Sequence, residues 1–268
     1  NKSEYVDKTS RFNGRLEIKD HPVTFDDILY FDFQLIEQVS VLNIENSTHL
    51  NSDNNFVSTL FSDDSTINFN TFDVNNIDYS RIGNFDAIIL NHLKVISSGL
   101  SQSIKTFLNQ GGTILIIPHS DIDIPSYNSF LSNIQLNSIV EIDSTAISVN
   151  KINREHLLYK NVFEEETYTT NNLNLPNIRR YYTFSNLTSN SDEYLLLLEN
   201  GLPFLNYNNR NDGQVYILSV ALNEEFSNFH KHAIFVPTLY NIVVSSKQSS
   251  PLYKVIGKNA STNLKRLE

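Results

Sequence analysis

At 268 residues, 40% hydrophobic and 19% charged, the chain has the length and composition of one large globular domain with an appendage, not of a disordered segment. Its 30 acidic against 20 basic residues give a net charge of −10, which repels phosphate backbones and anionic headgroups and argues against a nucleic-acid partner. Cysteine is absent, which excludes thiol nucleophiles, disulfides, thiolate zinc sites and iron–sulfur clusters, and no apolar run approaches the roughly 20 residues needed to span a bilayer.

Taken in chain order, residues 10 to 35 alternate in "RLEIK" and "LYFDF", which predicts strands on either side of an Asp/Pro-containing turn and so a small N-terminal β segment over residues 1–37. "QVSVLNIEN" (38 to 46) reads as a more continuous apolar strand. The polar turn after it leads to a short helix in "NFVSTLFS", with Phe56, Leu60 and Phe61 on one face, and then to a strand at 66 to 72. "FDAIIL" (85 to 90) is the strongest buried strand. The spacing of Leu100, Ile104, Phe107 and Leu108 predicts a helix stopped by Gly111-Gly112, and "TILIIP" follows at once as another buried strand.

Strand, helix and strand with apolar runs instead of alternation describe a parallel sheet covered on both faces. A short helix is expected over 123 to 134, with Pro125 in its first turn. Beyond residue 137 the pattern becomes β-rich: alternation in "NSIVEIDSTAISVN", then three strands in "EYLLLLENGLPFLNYNNRNDGQVYILSV" with a turn at Asn200-Gly201. Helical spacing returns at Phe229, Ile234, Phe235, Leu239 and Ile242, although Pro237 weakens an uninterrupted helix. The main domain is expected over 38–250 and a tail over 251–268. The absence of methionine and the terminal Leu267-Glu268, which resembles a cloning scar, suggest a piece of a longer protein that is soluble as it stands.

"FDAIILNHLKVISSGLSQSIKTFLNQGGTILIIP" resembles the strand, helix, Gly-Gly, strand unit of class I glutamine-amidotransferase-like folds, a relative of the flavodoxin-like arrangement. Together with "GLPFLNYNNRNDGQVYILSVALNEEFSNFHKHAIFVPTLYNIV" it is similar to the extracytoplasmic region of BatA-type proteins, the aerotolerance-regulator family with two N-terminal transmembrane segments. That resemblance covers roughly residues 10 to 246 by pattern and not by a sharp signature. It implies a domain on the periplasmic face of a bacterial inner membrane, tethered by segments outside this chain and contacting other proteins of the same membrane system. It also implies an inactive homologue, because amidotransferase chemistry needs a thiolate that this chain lacks.

His119, Ser120 and Asp121 combine three residue types of hydrolase triads. Their adjacency counts against a triad, since consecutive side chains in an extended segment point to opposite faces, and Ser120 lacks the G-x-S-x-G elbow. They instead fall where an α/β sheet usually meets ligands, at the carboxyl ends of its strands. Asn91 and His92 end the preceding strand, and Asn46 and Ser47 follow the first sheet strand, so these seven residues define a candidate crevice. Asp121-x-Asp123 lacks the further oxygen ligands a hard cation wants, and His230-x-His232 sits in a helical pattern that keeps the two rings apart, so no metal is expected. Glu164, Glu165 and Glu166 read as a solvated charge cluster. "NST", "NLT" and "NAS" match a glycosylation pattern that an Asn-rich chain produces by chance. Gly111-Gly112 lie at the wrong end of a helix to cradle phosphate. The sequence therefore predicts an α/β fold, no cofactor and no catalytic residue, in an interaction domain; the competing reading is a small-ligand or carbohydrate-binding or hydrolysing domain using the crevice.

Overall fold

The strand at Ala87–Leu93 buries all seven of its side chains. Because successive residues of a strand point to opposite faces, both faces of the sheet at this position are covered. The computed structural model describes residues 9–18, 27–36, 38–46, 55–160, 162–163, 174–185, 192–210 and 212–247. The chain divides into two units, Asn1–Glu37 with Gln248–Glu268, and Gln38–Lys247. Glu164 to Glu166, the tail 251–268 and the Asn-x-Ser/Thr matches at 186 and 259 lie outside the described residues.

In the first unit, β1 (Thr9–Glu17) and β2 (Ile28–Ile36) form an antiparallel hairpin with Glu17 opposite Ile28 and Thr9 opposite Ile36. Gly14 pairs with Phe31, whose ring occupies the space a side chain there would need, since an added Cβ would stand 2.4 Å from it.

The second unit continues with β3 (Val39–Glu45), α1 (Phe56–Phe61), β4 (Ile67–Asp73), a 3₁₀ turn at Tyr79–Asn84 and β5 (Ala87–Leu93). Then come α2 (Ser98–Asn109), β6 (Thr113–Pro118), α3 (Ile124–Asn133), β7 (Ile139–Asp143), β8 (Ile147–Ile152), β9 (Asn177–Ile178) and β10 (Tyr181–Phe184). β11 (Asp192–Leu198), β12 (Pro203–Arg210), β13 (Gly213–Leu218), a 3₁₀ turn at Phe229–Lys231 and α4 (Phe235–Ser245) complete it. β5 runs three residues past "FDAIIL", and Asn91 and His92 lie at its end, as expected.

One sheet of nine strands, in the order β4-β3-β5-β6-β13-β12-β11-β8-β9, carries the architecture, and β7 and β10 pair separately. The run from β4 through β13 is parallel. From β13 to β9 every pairing is antiparallel. The fold is α/β, with the parallel half written by the continuous apolar runs and the antiparallel half by the β-rich pattern beyond residue 137. From β3 the chain moves outward to β4, and from β5 it moves the other way to β6. With right-handed connections those opposite moves put α1 and α2 on opposite faces.

Local chemistry explains the helix limits. Asn55, Ser97 and Asp123 cap α1, α2 and α3 by accepting from Ser58, Leu100 and Ser126 backbone N–H groups. α1 buries Val57 and Phe61, a face one residue away from the expected set, with Phe56 and Leu60 only partly covered. Gly111 ends α2 in the left-handed region at φ 91°, where its N–H and that of Gly112 bond to the Leu108 and Phe107 carbonyls. Pro237 sits in the first turn of α4, where it costs no intrahelical bond, so the helix starts at Phe235 and not further upstream.

α2 and β13 approach one another closely through their backbones at Gly213. A Cβ on Gly213 would lie 2.5 Å from the Leu108 carbonyl oxygen and 2.8 Å from that of Gly112, both backbone atoms that cannot swing away. Gly213→Ala is expected to destabilise the domain by about 2 kcal/mol through this overpacking, read as a lower midpoint in urea unfolding with an unchanged slope.

Candidate functional site

The order of connection reverses between the parallel neighbours β3 and β5, and at the carboxyl ends of such a switch point sheets of this kind usually meet ligands. Ile44 pairs with Leu90, so Glu45 and Asn91, each one residue further, project side by side from the same face. Glu45 is fully buried. Its carboxylate accepts from Asn91 Nδ2 at 3.0 Å and from Asn55 Nδ2 at 2.8 Å, and Asn55 also caps α1. A buried carboxylate is tolerated only when its oxygens are satisfied, and here two amides do so.

His92 follows as an inserted residue: Asn91 pairs with Ile117 and Leu93 with Pro118, leaving His92 as a bulge at φ 52°. Bulges re-aim a side chain, and a non-glycine residue in this region of backbone space marks local strain. The His92 ring meets that of His119 edge-on, with centroids 6.2 Å apart. The two histidines converge across the ends of neighbouring strands, as expected of strand-end residues.

His119, Ser120 and Asp121 are not extended, because β6 stops at Pro118 and the chain turns there. Alternation along a strand is therefore not what separates them. His119 Nδ1 accepts the Asp121 backbone N–H at 2.9 Å, and the His119 carbonyl accepts the Tyr182 hydroxyl at 2.7 Å. Asp121 pairs with Lys94 at 2.5 Å, and that hydrogen bond and charge hold its carboxyl below the ordinary range. Burial raises the Tyr182 hydroxyl, keeping it a neutral donor. The turn is built from polar groups bonded to one another, and no bond joins Ser120 to His119 in a nucleophile–base pair among the described residues.

Asp121 and Asp123 serve separate ends: Asp123 Oδ2 accepts Ser126 N–H at 2.9 Å as the cap of α3. Among the described residues no three His, Asp or Glu side chains gather as a metal site. Ser47 lies outside the described residues, while Asn46 directly follows β3. His230 and His232 do not share a ligand position: His230 stacks on Phe56 at 4.4 Å, and His232 Nδ1 accepts the Ile234 N–H. Sequence reasoning missed Glu45, Asn55 and Tyr182. Glu45 had one signal, a lone charge inside the apolar strand "VSVLNIE".

No protein-family model matches the chain, and no curated protein matches its sequence. Solved structures do. A cytoplasmic protein of Salmonella typhimurium is similar at a TM-score of 0.54 and 10% identity, covering 88% of this chain and 95% of that one. A second, from Salmonella typhimurium LT2, gives 0.58 and 13%, covering 89% and 97%. A ThuA-like protein from Bacteroides uniformis gives 0.55 and 13%, covering 77% and 91%. At these identities the likeness shows the fold alone, and that fold is glutamine-amidotransferase-like.

Two outcomes follow from the site's electrostatics. Asn55→Ala removes both a donor to buried Glu45 and the cap of α1, and is expected to cost about 3 kcal/mol in chemical unfolding. Burial lowers the affinity of His156, His230 and His232 for protons in the folded chain, below the ordinary value of 6.5. Their unfolded forms bind more protons as pH falls through that value, so stability decreases from about pH 7.5 to about pH 5.5, measurable as a falling denaturant midpoint.

Proposed function

We propose that this chain is a non-catalytic interaction domain of a bacterial membrane protein, facing the extracytoplasmic side and contacting other proteins of that membrane system. The observation that carries this reading is the filled crevice. Glu45, Asn91 and His92, at 0%, 1% and 7% exposure, occupy the switch point with the chain's own side chains. A substrate has no group to meet there without displacing bonded amides. The absence of any thiol removes the one nucleophile that amidotransferase chemistry requires.

The finer assignment, to the BatA type with a role in aerotolerance or envelope stress, rests on the strand–helix–Gly-Gly–strand pattern of residues 85–118 and the strand and helix pattern of 201–243. A second reading draws on one specific feature, the convergence of His92 and His119 beside a strained bulge, which would suit a small-ligand or carbohydrate-binding or hydrolysing site. The two readings differ in turnover. Purified chain is expected to hydrolyse nitrophenyl esters, anilides and glycosides no faster than buffer; hydrolysis that disappears in His119→Ala would reverse the assignment.

Topology has its own test. The chain contains no cysteine, so a single Val95→Cys, at a position 53% exposed, can be labelled selectively. In spheroplasts expressing the protein with its native flanking sequence, a membrane-impermeant maleimide is expected to label it from outside. Labelling only after lysis would remove the extracytoplasmic placement.

A further inference from the structure

The second unit begins and ends at one place. Lys247, its last residue, donates from Nζ to the carbonyl of Gln38, its first, at 2.7 Å, and pairs with the Asp86 carboxylate at 3.4 Å. Asp86 is itself fixed, since its carboxylate accepts the Ser40 backbone N–H and its own N–H reaches the Ser40 carbonyl, each at 2.8 Å. Both charges are largely covered, so water and salt screen the pair less than a surface bridge. A chain that enters and leaves a domain at adjacent points is built as inserted domains are.

What the second unit interrupts is the first, which consists of Asn1–Glu37 and Gln248–Glu268. Its described part is the β1–β2 hairpin, and among the described residues neither strand has a second neighbour. Each strand then has an outer edge of backbone N–H and C=O groups still to be paired, and a two-stranded hairpin by itself is marginal in water. Side chains do not make up the deficit: Leu16 and Leu29 pair on one face while Ile28 and Tyr30 stand on the other, and all four are exposed.

We propose that residues 252–256, in the part of the first unit outside the described residues, add a third strand antiparallel to β2, so that the α/β domain is an insertion between two neighbouring strands of a β unit. The segment reads Leu252-Tyr253-Lys254-Val255-Ile256, rich in strand-forming residues, with Pro251 before it, Gly257 after it and the turn residues Ser249 and Ser250 leading in. The Lys247 clamp supplies the geometry. β2 ends at Ile36, two residues before Gln38, and two residues span at most about 7 Å. The chain that resumes at Gln248 therefore sets out close to the end of β2 and has only to run back along it. A strand lent by a second copy would forfeit the freedom of a whole molecule and bring two net charges of −10 together, whereas the clamped tail is already at hand. This pairing rests on neither reading of the strand-end site, so its test and the turnover assay above fail independently.

Hydrogen exchange of the 268-residue chain, read by mass spectrometry, is expected to show the amides of 253–256 exchanging at least about a hundredfold more slowly than a free peptide of that sequence. Light scattering should give the 30.7 kDa of one chain, with the same protection at every concentration. Lys254→Pro and Val255→Pro combined remove two adjacent N–H groups, one of which faces β2 in any register. That variant should exchange at least about tenfold faster over both 252–256 and 28–36, while peptides covering 87–93 and 113–118 exchange as in the parent. A tail that exchanges like the free peptide in the parent chain overturns the proposal, as does a β2 equally protected in the proline variant, or protection that appears only where the mass doubles.

Discussion

A sheet buried on both faces gathers most of its polar chemistry at the ends of its strands, and that constraint shapes this domain. Along β3 and β5 the interior positions are filled mostly by Val, Leu and Ile at near-zero exposure, with Asn43 a buried exception that donates to Thr71 Oγ1, so the helices on either face can close over them. At the carboxyl ends, where the backbone must leave the ladder, Glu45, Asn91 and His92 appear within three residues of one another in strand register. The bond from Asn91 to Glu45 satisfies polar groups where two neighbouring parallel strands end inside a covered sheet.

The same rim explains why a triad-like tripeptide acquires structural duties. Once β6 ends at Pro118, the turn to α3 must satisfy its own backbone, and the nearest polar groups are those of His119, Asp121, Asp123 and the Tyr182 hydroxyl reaching in from β10. A histidine whose ring nitrogen accepts a main-chain N–H has a fixed orientation that is set by the turn. The buried strand ends and the occupied turn are consequences of one requirement.

The antiparallel half extends the sheet away from this rim and brings the chain back through β13 between β6 and β12. That insertion brings close backbone contact at Gly213, and α4 follows as the last helix among the described residues. Because α4 carries no charge and covers only one of its sides against the core, its outward stripe of Val236, Tyr240 and Val244 is uncharged.

Local patterns in the sequence determined the elements: apolar runs wrote the buried parallel strands, 3.6-residue spacing wrote α2, and Gly111-Gly112 wrote the turn that ends it. These are nearest-neighbour effects of backbone geometry and burial, legible without knowing what lies across the sheet. The partners of Glu45 were not legible in this way. Asn55 is ten residues away and Asn91 forty-six, and only strand register and the order in which the strands connect bring their amides to one carboxylate. Tertiary structure also decided that the polar tripeptide after β6 is spent on its own turn and that the outward stripe of α4 lines a trough, since both depend on long-range neighbours that no local periodicity encodes.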